Sequence, residues 1–189
     1  MQRSIQKMPE YKFLGDIPQF PKANYQVNVA WSYIDQFLAN NKFIDENPDY
    51  QRGYVWTECQ QRQYVEYILR GGTSGRDVYW NCPNWQYQKR NTKWHNTLEL
   101  VDGKQRLQAV RKFMGNHLKV FGKYLNQYAD ATTRVRMRID FVFHVNTLAT
   151  KKEVVDWYLG MNTGGSIHTE ADLKTAYDVL ESLTIKQEK

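Results

Sequence analysis

The residues best suited to chemistry lie in Val101-Asp102-Gly103-Lys104-Gln105-Arg106-Leu107. Thr97, Leu98, Leu100 and Val101 have the character of a buried strand, Asp-Gly makes a tight turn, and a helix follows. Leu107, Val110, Phe113 and Met114 recur at helical spacing, which predicts an amphipathic helix over 104–114. A helix that starts directly after a strand offers unpaired N–H groups and a positive dipole end, both suited to a phosphate. Arg106 in the first turn adds a permanently charged fork for the same anion, and Lys104 adds a second cation. Asp102, at the carboxyl end of the strand, has the chemistry to hold a metal ion or take a proton. Asp-Gly is also among the commonest turn pairs, so the turn alone is weak evidence.

Two further clusters accompany it. Pro48-Asp49-Tyr50-Gln51-Arg52-Gly53-Tyr54-Val55-Trp56 is a Pro-Asp turn that delivers a Gln-Arg pair, followed by aromatic residues. Arg52 suits an ion pair as readily as a phosphate, and Tyr54 and Trp56 read as structural. Downstream, Asn162-Thr163-Gly164-Gly165-Ser166 is a glycine turn leading into a helix that begins near Thr169. Polar turns with glycine are common, so it is the order of the three clusters that carries information.

In that order, from about Asn28 to Leu173, the chain resembles the ParB/sulfiredoxin-like domain of the N-terminal half of GmrSD-type modification-dependent restriction enzymes and of SspE defence proteins. The family's proline-acidic-aromatic-Gln-Arg run ending in Val-Trp matches Pro48 to Trp56. Its Asp-Gly-Gln-Gln-Arg-Leu motif matches Asp102 to Leu107, with Lys104 in place of the first glutamine, and its Asn-Thr-Gly-Gly motif matches Asn162 to Gly165. The resemblance implies binding of a nucleoside triphosphate with Mg²⁺ or another divalent metal, slow hydrolysis, action on DNA and weak nicking. It implies Asp102, Gln105 and Arg106 as catalytic residues, with Asp102 on the metal. Gly103, Lys104, Gln51, Arg52, Asn162, Gly164 and Gly165 are implied at the phosphate or nucleotide. Two alternatives stay open: a phosphotransferase of the same superfamily, with Asp102 as base, and a non-catalytic adaptor for DNA or a protein partner. Sulfiredoxins place a cysteine within a Gly-Cys-His-Arg motif, before the arginine; Gln105 occupies that place here, which disfavours sulfur repair.

The elements that must position these residues are legible in outline. The 189 residues suit one domain, with an irregular proline-bearing arm over 1–24 and a single domain over 25–189. Hydrophobic residues make up 41% and aromatic residues 14%, which excludes a disordered chain. Helices are expected from about Asn28 to Asn40, from a Thr57 cap to Leu69, from a Thr150 cap to Gly160, and after a Thr169–Asp172 capping box. Strands are expected at Asp77 to Cys82, before Asp102, and centrally over Arg138 to Val145. The fold class is α+β: a compact domain with a small mixed sheet surrounded by helices. The Gly71–Gly75 run lacks the Lys-Ser/Thr ending of a P-loop and reads as a connector.

Charge points to a polyanion. The net charge is +6, and from Lys104 to Arg138 the only acid is Asp130. Lys89, Arg90 and Lys93 in an aromatic-rich stretch, with Arg134, Arg136 and Arg138, are the expected DNA contacts, the aromatics stacking on exposed bases. Cys59 and Cys82 have no metal-ligand spacing and read as two reduced thiols, and His95, His117, His144 and His168 form no zinc pattern. No apolar run has membrane-spanning length and no signal-peptide region opens the chain, so the expected setting is the cytoplasm of a bacterium or a phage-infected host, without a membrane partner. A homo-oligomer stays open. The restriction-enzyme relatives carry a C-terminal HNH nuclease domain that is not found here, so any cleavage would fall to the ParB-like domain, as suits a phage or defence protein.

Overall fold

Alternating apolar residues and two well-capped helices account for most of the architecture. A computed structural model describes Phe13, Ile17 and residues 24–40, 43–85, 96–130, 139–163 and 170–187. Among these are five strands: β1 (Tyr25–Ala30), β2 (Ile44–Asp45), β3 (Asp77–Asn81), β4 (Leu98–Asp102) and β5 (Asp140–Asn146). The α-helices are α1 (Ile34–Ala39), α2 (Glu58–Leu69), α3 (Lys104–Met114), α4 (Lys151–Thr163) and α5 (Glu170–Gln187). The strands form one sheet in the order β1-β5-β3-β4-β2. β1 runs antiparallel to β5, β5 parallel to β3, β3 antiparallel to β4, and β4 parallel to β2. The expected α+β class with a small mixed sheet is the one observed.

The side-chain alternation of a strand sorts the core into two layers. Val78 and Trp80 of β3, Leu98 and Leu100 of β4, and Phe141, Phe143 and Val145 of β5 are buried in one cluster with Ile34, Val65, Ile68, Leu107, Val110 and Phe113 of α1, α2 and α3. Val101 and half-buried Tyr79 pack on the other side with Val154, Val155, Trp157 and Tyr158 of α4 and Leu173 and Ala176 of α5. Burying apolar surface at roughly 25 cal/mol per Å² is what drives both helical layers onto the sheet.

Two capping boxes set helix starts. Thr57 accepts from the Gln60 N–H at 3.3 Å, while Gln60 Oε1 accepts from the Thr57 N–H at 2.8 Å. Thr150 and Glu153 repeat the arrangement ahead of α4, at 3.3 and 2.9 Å. The expected capping pair Thr169–Asp172 lies outside the residues whose side chains are described.

The first expected helix is corrected. Its start, Asn28 to Ala30, belongs to β1, and the α-helix begins only at Ile34, after a 3-10 turn at Trp31–Tyr33. Val27 and Val29 alternate, and the open edge of β5 offers backbone partners, with Val29 opposite Phe141. Pairing across the sheet overrides the helical spacing of Val29, Ile34 and Phe37. The Arg138–Val145 strand forms at Asp140–Asn146, interior but second from the edge, with β3 at the centre. Cys59 is exposed, Cys82 is buried, and both are free thiols. Among the described residues no helix is long and apolar enough to cross a membrane.

Candidate functional site

The central turn is built around Gly103. Its φ of +100° lies in the left-handed region, and a Cβ there would sit 3.1 Å from both methyls of Val78 and 3.2 Å from its Cα. Backbone angle and crowding both favour glycine. Gly103 is the N-cap of α3, with no side-chain cap and no acid in the first turn, so the leading N–H groups have no side-chain acceptor among the described residues. Arg106 Nη2 donates to Asp102 Oδ2 at 2.7 Å, with the side chains 21% and 36% exposed respectively. The other guanidinium nitrogens of Arg106 have no hydrogen-bond partner among the described residues.

The loop after Pro48 is fastened to this turn by three of the expected site residues. Gln105 Oε1 accepts from the N–H groups of Val55 at 3.1 Å and Trp56 at 3.2 Å, and its Nε2 donates to Gly53 O at 2.9 Å. Lys104 is buried, donates to Arg52 O at 3.1 Å, and lies 5.0 Å over the Tyr54 ring. Burial lowers its pKa, opposed by the charges of Asp45 and Glu46. Gln51 Nε2 donates to Leu100 O at 2.7 Å and Val101 O at 2.6 Å. The side chains of Lys104, Gln105 and Gln51 therefore join the loop to the strand and helix, while Asp102 and Arg106 are left at the surface of the turn. Trp56 is half-buried against Tyr64, centroids 5.4 Å apart, whereas Tyr54 and Val55 are exposed.

A second anchor went unnoticed in the sequence. Lys151, the first residue of α4, donates to Glu99 Oε1 of β4 at 2.9 Å and pairs with Asp49 Oδ1 at 3.0 Å. Its ammonium lies 4.6 Å over the Tyr50 ring. Glu99 is 1% exposed, and burial raises its pKa against the opposing pull of Lys151. Burial would lower the Lys151 pKa, but its bonds and charge contacts with Glu99 and Asp49 raise it instead. Burial, then the Glu99 charge, pushes the Tyr50 phenol well above its ordinary value. The Tyr50 hydroxyl also interacts with the Glu99 carboxylate, which raises the phenol's pKa and works against the rise at Glu99. No spacing in the sequence marks Glu99 and Lys151 as partners.

Asn162, from the third motif, is buried and donates to Tyr158 O at 2.7 Å. Tyr158 packs on Tyr50, ring centroids 5.1 Å apart, so the third motif reaches the first through this aromatic pair. Arg52 is half-buried in the same loop. Gly164 and Gly165, and the expected DNA contacts Lys89, Arg90, Lys93, Arg134, Arg136 and Arg138, lie outside the described residues.

The sheet adds a polar row that sequence reasoning missed. Gln26 stands opposite His144, His144 opposite Tyr79, and Tyr79 opposite Asp102, across four strands. His144 Nε2 lies 2.6 Å from Asp77 Oδ1, its Nδ1 lies 3.1 Å from Gln26 Nε2, and its ring stacks on Tyr79 at 4.6 Å. Burial raises the Tyr79 pKa, followed by the charges of Asp77 and Asp102. Among the described residues no group of three or more His, Cys, Asp or Glu side chains is placed to hold a metal ion.

A glycine-started helix behind a strand, laced to a preceding Gln-Arg loop, defines a domain organised around one turn. The family model for the GmrSD restriction endonuclease, N-terminal domain, matches residues 34–142, from α1 into β5, and the chain belongs to that family. The match takes in both the loop and the central turn. No curated protein and no solved structure matches the chain.

Proposed function

We propose that this domain binds a nucleoside triphosphate at the Asp102–Arg106 turn, hydrolyses it slowly with a divalent metal, and acts on DNA as part of restriction or defence. The observation that carries the reading is the α3 N-terminus: an uncapped first turn behind a glycine that a side chain would strain, with Arg106 beside it. Backbone N–H groups there suit phosphate oxygens, and the unpaired guanidinium nitrogens of Arg106 add a charged donor. Asp102 has the chemistry to orient a water molecule or to ligate a divalent ion. Mg²⁺ is commonly held by one or two carboxylates, with phosphates and water completing its shell, so a lone Asp102 fits. Lys104, Gln105 and Gln51 serve by holding the 51–56 loop against this turn. The resemblance to ParB/sulfiredoxin-like domains supports the same assignment, and the basic segments supply the affinity for DNA.

The test is phosphate release from each of the four triphosphates with Mg²⁺, with and without DNA, in the wild type and in Asp102→Ala and Arg106→Ala. Removing a preorganised charged group from a reacting centre costs roughly a hundredfold to a thousandfold in rate. A loss of that size in both variants, with the fold intact, is expected. DNA binding by the wild type with neither nucleotide binding nor turnover would instead favour the adaptor reading, which the Asp102–Arg106 ion pair supports by occupying the carboxylate. Transfer of the phosphate to a small hydroxyl compound would favour the phosphotransferase.

A further inference from the structure

The basic segment 104–130 separates sharply once folded. Lys104 is buried against Arg52 O, Arg106 pairs with Asp102, Arg111 pairs with Asp35 and Glu46, and Lys112 donates to Gln61. These cations serve the fold or the central turn. Lys119 and Lys123 are left exposed, on either side of a two-residue hairpin turn. Val120 and Lys123 exchange both backbone hydrogen bonds, at 2.9 and 3.1 Å, and Phe121 and Gly122 form the tip.

Phe121 is the anomaly. Its φ is +47° and that of Gly122 is +79°, so both central residues lie in the left-handed region, as in a type I′ turn. Asn-Gly is the favoured pair for such a turn, and a bulky aromatic residue is a costly choice. The chain nevertheless holds Phe121 there, 44% exposed, its N–H fixed to Glu66 Oε1 at 2.9 Å. Three cations lie over three rings around this tip: Arg70 over Phe121 at 5.1 Å, Lys119 over Tyr124 at 5.2 Å, and Lys123 over Tyr128 at 5.7 Å. Tyr128 is itself tied to the hairpin through Val120 O.

We infer that the 119–128 hairpin is a contact surface for single-stranded DNA, with Phe121 stacking on an exposed base and Lys119 and Lys123 neutralising the phosphates beside it. Strained backbone persists where surrounding contacts enforce it, and it clusters at functional positions. Aromatic faces tolerate any base, and neighbouring cations track the strand. The inference rests on the DNA-acting part of the proposed function and assigns it a surface distinct from the nucleotide turn.

Anisotropy of a fluorescein-labelled 15-mer of thymidylate, titrated across a salt series, tests this with Phe121→Asn and with Lys119→Ala/Lys123→Ala. Asparagine suits the left-handed turn, so Phe121→Asn removes the ring while favouring the hairpin backbone, and thermal melting confirms that the fold is retained. Expected are at least a roughly fivefold loss of affinity in Phe121→Asn and a salt slope shallower by about 0.7 per lysine removed. Wild-type affinity and slope in both variants would overturn the inference while leaving DNA binding in place. Equal losses on an unlabelled duplex competitor would overturn its single-strand part. No binding by the wild type would bring down the DNA reading itself.

Discussion

At the scale of single residues, the most constrained position is Gly103. A methyl group there meets Val78 at 3.1 Å and must also adopt φ near +100°. The left-handed backbone alone costs an L-residue about 1–2 kcal/mol, and the Val78 contact adds to it. Gly103→Ala should therefore lower thermal stability by several degrees and blunt any phosphate binding at the turn. A melting curve indistinguishable from wild type would show that the turn relaxes around the methyl. Arg106 is constrained differently: its pairing with Asp102 at 2.7 Å fixes the guanidinium in the first turn.

At the scale of elements, the 51–56 loop and α3 act as one piece because Gln105 gives its whole amide to the loop. Three hydrogen bonds link it to Gly53, Val55 and Trp56. At about 1 kcal/mol net for each, Gln105→Ala should cost roughly 2–3 kcal/mol of loop anchoring. Amide exchange at Val55 and Trp56 should quicken correspondingly, while exchange in β3 and β5 stays slow. Uniform protection loss across the sheet would mean that Gln105 supports the whole domain and not the loop. Glutamine suits this role, since one side chain supplies both an acceptor and a donor.

At the scale of the whole molecule, the Glu99–Lys151–Asp49 cluster joins the sheet, α4 and the loop at one point. Folding raises the Glu99 pKa above its ordinary 4.5, so the folded chain holds that proton more tightly than the unfolded chain. The stability from this group is therefore fully present below pH 4.5 and is lost as pH rises through the raised value. Glu99→Gln should remove that segment of the pH–stability curve, an effect that denaturant titrations across mildly acidic pH would reveal. An unchanged curve would show that Lys151 compensates Glu99 fully. Because breaking a buried pair from one side leaves a charge uncompensated, Lys151→Met should destabilise at neutral pH by about 3–5 kcal/mol, discounted for the partial exposure of Lys151.

What the sequence by itself determined was local. The α2 and α3 spans, the Thr57 and Thr150 caps, and the Asp102–Gly103 turn all follow from residues within one or two turns of each other. The resemblance to GmrSD N-terminal domains was also legible there, and the family match spans the first two motifs. Tertiary structure decided where polar side chains spend their hydrogen bonds. Lys104 and Gln105 look like site residues in isolation, yet each bonds to the loop some fifty residues earlier, because an amide or ammonium withdrawn from water must find partners wherever packing provides them. The same holds for β1, where the edge of β5 outweighed helical spacing, and for Glu99 and Lys151, which meet only because α4 packs over β4. Periodicity records which face of an element is apolar; only the assembled sheet determines what lies opposite.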